Sequence, residues 1–598
     1  FTDKIDIVIP VTFFRRFYQY DYFEYAHIYS SARQGMSNMI YDHNLKIEPY
    51  INYSSNVFNK NHSIQLTTGL SYFELGNKNL KAIAQGSSTD KITTLNASPT
   101  KTDAYTYITS EVLLGYFGRL SYNLLDRYLI SGTFRADGSS RFQEGNRWGF
   151  FPGISVGWLI NKEPLFQGVT NIFDLLKLRI SYGQTGNNQV GLYQAFGEFS
   201  VNPVSIGKSV AFGDYSVSSK YNGNSSIIPS SMPNEDLSWE TTTQLDIGLD
   251  FALLNNRISV IADYFDKRTS NLLFQTPLPN TSGFASVEKN VGEVKFYGFD
   301  FEIRSKNISK NNFTWSTTFQ WSFVKNKVLK LPDNGRDRNR IGGVNLPDGS
   351  SFGGIAEGEP LYRIFGYKVD HIIQTSEEAA TANYDELAVG WNPKDGKKIK
   401  GRKLPGDYEW IDRNNDGKIN DMDQFEIGSS VPHSTGGMSN IFQFKNLSLS
   451  IDLDWALGHS VYDEVMQRFL ANTMSTQAPL PTLVRKTWKE PGDNTKFARF
   501  TANDIADGSN NWRISDRFLQ DASYLCIRNI TLQYDFPNKL SSKLGINDLN
   551  IYVSGDNLHY FTDLLYISPE TGAATTYSKD YFTYPPVRKF SFGIRFKF

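Results

Sequence analysis

Strict alternation of apolar and polar residues over short segments is the feature that most constrains how this chain can fold. In the final segment, the apolar residues Phe590, Phe592, Ile594, Phe596 and Phe598 alternate with Ser591, Gly593, Arg595 and Lys597. A β-strand points successive side chains to opposite faces, so this segment has one aromatic face and one wet, cationic face. In a membrane barrel the apolar face meets lipid and the polar face lines the lumen. The pattern therefore favours a strand of a membrane barrel.

The same alternation recurs along the whole chain. In the segment 447–455, Leu449, Ile451 and Leu453 alternate with Ser450, Asp452 and Asp454. We expect the first set to face lipid and the second to face the lumen. Many such segments, with turn signals between them, predict an antiparallel sheet rather than βαβ units.

Composition narrows the class of protein further. The 598 residues include 33 Tyr and 43 Phe, yet no apolar run approaches the ~18 residues that a membrane-spanning helix needs. A helical membrane protein is therefore excluded. The net charge of −1 provides no general attraction for nucleic acid. A large soluble all-β protein is the alternative, but long irregular connections and the absence of a fixed blade repeat argue against it.

The predicted connections alternate between short and long. Short ones fall near 56–61, 124–126, 253–257, 305–312 and Asn446, and long ones near 14–42, 75–104, 184–239, 269–290, 327–437, 458–520 and 559–587. Membrane barrels have short periplasmic turns and long extracellular loops. We therefore predict that residues 1–598 are all-β and form a transmembrane antiparallel β-barrel portion of about sixteen strands.

Several segments resemble the SusC/RagA family of TonB-dependent outer-membrane transporters. They are DRYLISG at 126–132, RADGSSRF at 135–142, Phe150–Pro152, LRISYGQTGNN at 178–188, Trp239–Thr242, Val291–Phe299, Tyr524–Leu532 and YVSGDNL at 552–558. The resemblance implies a 22-stranded barrel with an N-terminal plug, a TonB-binding segment and a SusD-like surface lipoprotein that lids the barrel. This chain lacks counterparts of the plug, the TonB-binding segment and about six strands. We therefore expect it to be the C-terminal part of such a transporter.

The segment 404–428 contains a candidate cation-binding loop. In an EF-hand-type loop, oxygens at positions 1, 3 and 5 bind calcium, glycine at 6 allows the sharp turn, and positions 7, 9 and 12 complete the shell. Gly417 stands at position 6. We predict a structural Ca²⁺, with Mg²⁺ as the alternative, held by Asp412, Asn414, Asp416, the carbonyl of Lys418, Asn420 and Asp423. Asp423 replaces the usual, longer glutamate. The metal-free alternative is a loop of Asx turns.

No catalytic constellation is evident. The sequence contains no G-x-S-x-G or H-E-x-x-H pattern, and its seven His residues show no metal-ligand spacing. Paired carboxylates such as Asp452 and Asp454 have a simpler interpretation as the wet face of a strand. We predict a non-enzymatic protein.

The resemblance implies the function. We expect an importer in the outer membrane of a Gram-negative, Bacteroidota-like bacterium, contacting lipid over a multi-pass barrel. It would take up a large nutrient, an oligosaccharide or a peptide, with a SusD-like partner. Energy would come from TonB–ExbB–ExbD through the N-terminal part that this chain lacks. The alternatives are a passive porin and a surface adhesin or receptor. No substrate-binding residue is assigned.

Overall fold

The computed structural model describes most of the chain. The described residues are 4–27, 33–56, 61–166, 168, 172–197, 199–201, 220–221, 224–225, 227–229, 231–345, 351–391, 398–401, 403–471, 481–500, 511, 513–537, 545–546, 548–564, 567–570 and 586–597.

Strands dominate the described residues, which confirms the all-β prediction. They are β1 (Ile5–Val8), β2 (Val11–Glu24), β3 (Gln34–Ile47), β4 (Tyr50–Asn56), β5 (His62–Gln85), β6 (Thr100–Leu124), β7 (Tyr128–Ser139), β8 (Trp148–Leu159), β9 (Phe173–Asn187), β10 (Phe199–Val201), β11 (Lys220–Tyr221), β12 (Asn224–Ser225), β13 (Ile227–Pro229), β14 (Glu240–Leu253), β15 (Ile258–Pro277), β16 (Ser286–Lys310), β17 (Phe313–Lys330), β18 (Val344–Asn345), β19 (Ser351–Phe352), β20 (Arg363–Gly366), β21 (Val369–Ile372), β22 (Tyr384–Asp385), β23 (Val389–Trp391), β24 (Lys398–Lys400), β25 (Tyr408–Trp410), β26 (Lys418–Ile419), β27 (Phe425–Ser429), β28 (Ser434–Phe444), β29 (Leu447–Leu457), β30 (Ser460–Tyr462), β31 (Leu519–Asp521), β32 (Tyr524–Asp535), β33 (Asp548–Thr562) and β34 (Lys589–Lys597).

Helices are few and short. The α-helices are α1 (Ser376–Thr381), α2 (Glu464–Ala471) and α3 (Pro481–Val484). Single 3-10 turns are found at Leu95–Ala97, Glu144–Asn146, Ile160–Lys162, Pro164–Phe166, Gln194–Phe196, Asn280–Ser282, Asp337–Asn339 and Asp421–Asp423. No helix in the described ranges has both the length and the apolar character to cross a membrane, a finding that does not bear on spans made by strands.

Among the described residues, eighteen strands belong to one sheet, namely β1–β9, β14–β17, β28, β29 and β32–β34. The chain divides into two compact units. Unit 1 comprises 1–167, 177–247 and 267–293, and unit 2 comprises 168–176, 248–266 and 294–598. Within unit 1, antiparallel ladders join consecutive strands from β5 to β8, and β8 then pairs with β9. Within unit 2, antiparallel ladders run from β17 through β28, β29, β32 and β33 to β34.

Two prolines explain why the strand number differs from the predicted sixteen or so. The alternation Leu45, Ile47, Pro49, Ile51 suggests one continuous strand, but β3 ends at Ile47 and β4 begins at Tyr50. Proline has no backbone N–H to donate to a ladder, so the strand is interrupted there. Pro10 separates β1 from β2 in the same way. Four of the eighteen strands are therefore halves of two interrupted ones.

Some connections predicted as long are shorter in the structure. The predicted connection 75–104 shrinks to 86–99, because β5 and β6 stay paired out to Gln85 and Thr100. The predicted connection 14–42 consists mostly of β2 and β3, which pair from Val11 to Glu24. Crossing a bilayer takes only ~9–11 tilted residues, whereas β5 has 24. The part of a strand that lies outside lipid needs no apolar face. A mostly polar segment such as 77–81 therefore shows no alternation, although its backbone remains paired in the sheet.

The register agrees with the alternation predicted for the segment 447–455, while the assignment of one face to lipid and the other to the lumen stays a prediction. Leu449 lies opposite Leu532, and Ser450 lies opposite Thr531 on the other face. Along the apolar face, Leu532, Val553 and Phe592 are 46%, 53% and 68% exposed, as expected for side chains that contact lipid. Phe598, the last residue of the predicted pattern, lies outside the described residues.

Candidate functional site

The described residues of the connections 331–433 and 458–523 of unit 2 fold together into what we call the outer layer. They share a hydrophobic core, to which the first contributes Tyr367, Val369, Ile372, Tyr408, Trp410 and Ile419, and the second contributes Trp488 and Ala498. Backbone hydrogen bonds also join them, from Tyr367 N to the Ile514 carbonyl (2.8 Å) and from Arg499 N to the Gly406 carbonyl (2.7 Å). The outer layer is therefore a packed structure and not a pair of separate loops.

Buried ion pairs lock the outer layer. The Arg513 guanidinium donates to both carboxylate oxygens of Asp385, at 2.6 and 2.7 Å. It also lies over the rings of Tyr367 and Trp410, with its central carbon 5.1 and 5.2 Å from their centroids. Arg499 pairs with the fully buried Asp407 at 2.7 Å. Charges this deeply buried are costly unless paired, so these contacts fix one arrangement of the two connections.

The predicted cation loop lies in the outer layer, and its oxygens accept hydrogen bonds from the loop itself. Asp412 accepts from Gly417 N (2.7 Å), and Asp416 accepts from Lys418 N (2.9 Å) and from the Asn414 amide (3.0 Å). Gly417 has φ +77°, the left-handed turn for which the sequence requires glycine. These contacts are the Asx turns of the metal-free alternative.

At the end of this loop, Asp423 is fully buried. Its oxygens accept from Asn420 N (2.7 Å) and Arg413 N (3.0 Å). Burial raises the pKa of this carboxyl, and the carboxylates of Asp412 and Asp416 raise it further, against the lowering effect of the two N–H donors. No set of three His, Cys, Asp or Glu residues in the described ranges is arranged to hold a metal ion. The Lys418 side chain pairs with Glu386 at 3.2 Å, which leaves only its carbonyl as a ligand. The cation site stays a prediction.

Sequence reasoning missed a cluster on the polar face of β32. Against β29, Ile527 lies opposite Leu453 and Asn529 lies opposite the adjacent Asp452, so Arg528 is an extra residue in a bulge. Its guanidinium donates to both oxygens of Asp454 at 2.7 and 2.8 Å, and also to Asn557 (2.7 Å) and Glu570. Bulges re-aim side chains, which is how Arg528 reaches this cluster. Because a bulge breaks the two-residue period, no alternation pattern could have signalled it.

A cavity of about 610 Å³ lies beside this cluster, also within unit 2. Its lining includes the carboxylates of Asp300, Glu302 and Asp454, the amide of Gln320 and the ring of Tyr524. Ser322 donates to Asp300 at 2.6 Å and Gln320 donates to Glu302 at 2.8 Å, so the polar groups are held in place. Such a wall can bind a polar solute through hydrogen bonds.

The sequence is similar to a family of outer-membrane receptors and to individual members of it. The family described as "TonB dependent receptor-like, beta-barrel" matches residues 10–558. TonB-dependent receptor P3 of Formosa agariphila is 30% identical over 550 residues, covering 90% of this chain and 51% of the relative. TonB-dependent receptor SusC of Bacteroides thetaiotaomicron is 30% identical over 508 residues, covering 82% and 44%. The chain thus spans about half the length of the curated relatives it matches.

The fold has a close counterpart among solved structures. A chain of the RagAB peptide transporter superposes with a TM-score of 0.78 at 20% identity, covering 99% of this chain and 60% of that one. Each of these matches is named as a receptor or a transporter, in keeping with the non-enzymatic prediction.

Proposed function

Because this chain belongs to the TonB-dependent receptor β-barrel family and resides in the outer membrane, we propose that it is part of an importer for a large nutrient. The nutrient is an oligosaccharide or a peptide. Uptake is energised by TonB–ExbB–ExbD, which acts through a segment outside this chain. The sixteen or so strands form the C-terminal part of a 22-stranded barrel around a plug.

The outer layer is the observation that carries this proposal. A pore for small solutes needs no packed layer, with its own core and buried ion pairs, built from two connections. A rigid surface of this kind suits docking, because a pre-organised surface loses little conformational entropy when it binds. We assign this docking to a SusD-like surface lipoprotein. The resemblance of the sequence to the SusC/RagA family, whose members work with such a lipoprotein, supports the assignment.

The test compares uptake with and without energy. Cells that carry the full-length protein are given labelled oligosaccharides and, separately, labelled peptides, before and after a protonophore collapses the inner-membrane gradient. We expect uptake of one class only, and its loss with the protonophore. Uptake that survives the protonophore would favour the porin. Surface binding without any internal label would favour the adhesin.

A second measurement addresses the partner. Tagged transporter is purified from native membranes in mild detergent at low salt, and a lipoprotein is expected to co-purify. Replacing the buried Trp410 with Ala disrupts the outer-layer core and should release the partner. The exposed Leu387 of the same layer provides the matched control, since Leu387→Ala leaves the core intact. Equal recovery of the lipoprotein from both variants would contradict docking on this layer.

We also propose that the loop 404–428 binds one Ca²⁺ or Mg²⁺ through Asp412, Asn414, Asp416, the Lys418 carbonyl, Asn420 and Asp423. Mutual repulsion of three carboxylates in one tight loop supports the proposal, because a divalent ion removes it. Anomalous scattering from crystals soaked in a calcium-mimicking lanthanide should show a peak within this loop. Asp416→Ala should abolish the peak while the barrel stays folded. A flat anomalous map for the unaltered protein would refute the site.

A further inference from the structure

A row of serines crosses four neighbouring strands of unit 1. Ser121 of β6 lies opposite Ser131 of β7, Ser131 lies opposite Ser155 of β8, and Ser155 lies opposite Ser181 of β9. Adjacent strands lie ~4.8 Å apart, so the four hydroxyls form a ladder across the polar face. The row is close to the short turn between β6 and β7, at the end predicted to face the periplasm.

Cationic side chains flank this ladder. The residues lining a cavity of about 490 Å³ include all four serines together with Arg119, Lys177 and Arg179, and Asp246 is the one carboxylate among the lining residues described. Arg119 lies two residues before Ser121 on β6, and Arg179 lies two residues before Ser181 on β9. One guanidinium therefore stands near each end of the ladder.

Donors in this cavity are available for a ligand. In the described part of the chain, the side chains of Arg119, Ser155 and Ser181 have no hydrogen-bond partner, while Ser121 donates to Ser131 over a long 3.5 Å. Guanidinium groups and hydroxyls are donors that match the oxygens of carboxylates and sulfates, and arginine binds them in a bidentate fork. A neutral sugar would satisfy the hydroxyls but would leave the Arg119 guanidinium, which forms no ion pair with the described residues, without a counter-charge.

We propose that the serine ladder, with Arg119 and Arg179, is a binding site for an oxyanion group, a carboxylate or a sulfate ester, on the transported substrate. This rests on the proposed import function and narrows the substrate class to an anionic oligomer. Binding at the periplasmic end would hold the substrate after it has left the outer surface. The weak, separated contacts of a ladder allow the anionic group to pass from one strand to the next.

The experiment measures binding with defined probes and does not depend on import. Full-length transporter in detergent is titrated calorimetrically with a dextran sulfate oligomer, with unsulfated dextran of equal length and with an oligogalacturonate, in low salt. We expect binding of a charged probe and none of neutral dextran. Arg119→Gln combined with Arg179→Gln should weaken binding at least tenfold. Ser131→Ala with Ser155→Ala, which keeps every charge, should weaken it several-fold.

Matched controls separate this site from general attraction to polyanions. Arg595 lies on the polar face of β34, outside the cavity, and Arg595→Gln should change affinity less than twofold. Heat-modifiable migration on gels confirms that each variant is folded, and Arg179→Lys should recover part of the affinity. Absence of binding, equal binding of neutral dextran, or an unchanged affinity in the double arginine variant would overturn the inference. None of these results would touch the import proposal, which is tested by energised uptake.

Discussion

The ion pair of Arg513 and Asp385 gives the sharpest test of how the outer layer is held together. Asp385 is fully buried, and one of its oxygens also accepts from Leu387 N and Ala388 N at 3.0 and 3.1 Å. Replacing Arg513 with Leu removes the guanidinium that forms a hydrogen-bonded ion pair with both oxygens of this carboxylate. The carboxylate then stays buried without that guanidinium, and the donors Leu387 N and Ala388 N carry no full charge.

Breaking a buried ion pair from one side costs about 3–5 kcal/mol, because the remaining charge is uncompensated. The guanidinium also covers the rings of Tyr367 and Trp410, contacts that are worth about 0.5–2 kcal/mol each. The leucine side chain restores part of that packing, so we expect Arg513→Leu to lower the stability of the outer layer by about 3–5 kcal/mol in total. At ~1.4 kcal/mol per tenfold, opening of the layer becomes about a hundred to a few thousand times more frequent.

Hydrogen exchange read by mass spectrometry on the detergent-solubilised protein measures this directly. Amides of the paired strands β21 and β25 should exchange faster by that factor, while those of β28 and β29 keep their protection. Arg485, an exposed arginine of the same layer, provides the control, and Arg485→Leu should leave exchange unchanged. Replacing both Arg513 and Asp385 with Leu should regain much of the protection, because no lone buried charge remains.

Two results would refute the reasoning. If Arg513→Leu changes exchange in β21 and β25 by less than tenfold, the pair does not hold the layer. If β28 and β29 lose protection equally, the layer is not a separate cooperative unit.

Three further outcomes are expected. Ile451→Arg should cost roughly 2–4 kcal/mol in folding titrations from urea into lipid vesicles, and Ser450→Arg little, since only the first faces lipid; equal costs would mean that the faces are misassigned. Gly436→Ala should cost about 1–3 kcal/mol in the same assay, because a Cβ there would meet the Trp455 ring at 2.2 Å, whereas Gly437→Ala, with 3.3 Å to its nearest neighbour, should be milder. Because the pKa of Asp423 is raised in the folded loop, protonation favours the fold. The loop should therefore lose stability as pH rises through that pKa. This loss would be measured as faster amide hydrogen exchange in the loop, after correction for the intrinsic pH dependence of the exchange rate. Asp423→Asn should remove the pH dependence of loop stability.

Alternation along strands could be predicted because it reports a physical boundary. Where one face of the sheet meets lipid and the other meets water, the polarity of each residue indicates the face on which its side chain lies. Leu449 and Ser450 are an example. The signal fails where that boundary ends. The polar extensions of β5 and β6, and the bulge at Arg528, keep their backbone pairing but lose the period of two.

The outer layer could not be predicted, for a different reason. Its core includes both Trp410 and Trp488, which are 78 positions apart in the sequence, and neither residue lies in a periodic segment. Such long-range contacts depend on which connections lie next to each other at one end of the strands, and the sequence pattern does not indicate this. The candidate cation loop could be recognised because all of its residues lie within one short motif. Its hydrogen bonds, however, satisfy both the bound and the metal-free interpretations.

The shared core of the outer layer also sets an order of events during biogenesis. Its two halves, 331–433 and 458–523, flank the β28–β29 hairpin in the chain, so pairing of the hairpin brings the adjoining ends of the two halves together and favours completion of the core. Until then Tyr408 and Trp410 stay uncovered and rely on protection from aggregation. A slip of one residue in the hairpin would reverse its faces and displace the second half. A completely packed outer layer therefore indicates that this hairpin has formed in the correct register. A partner that binds only the packed layer would not bind barrels in which the hairpin is misassembled.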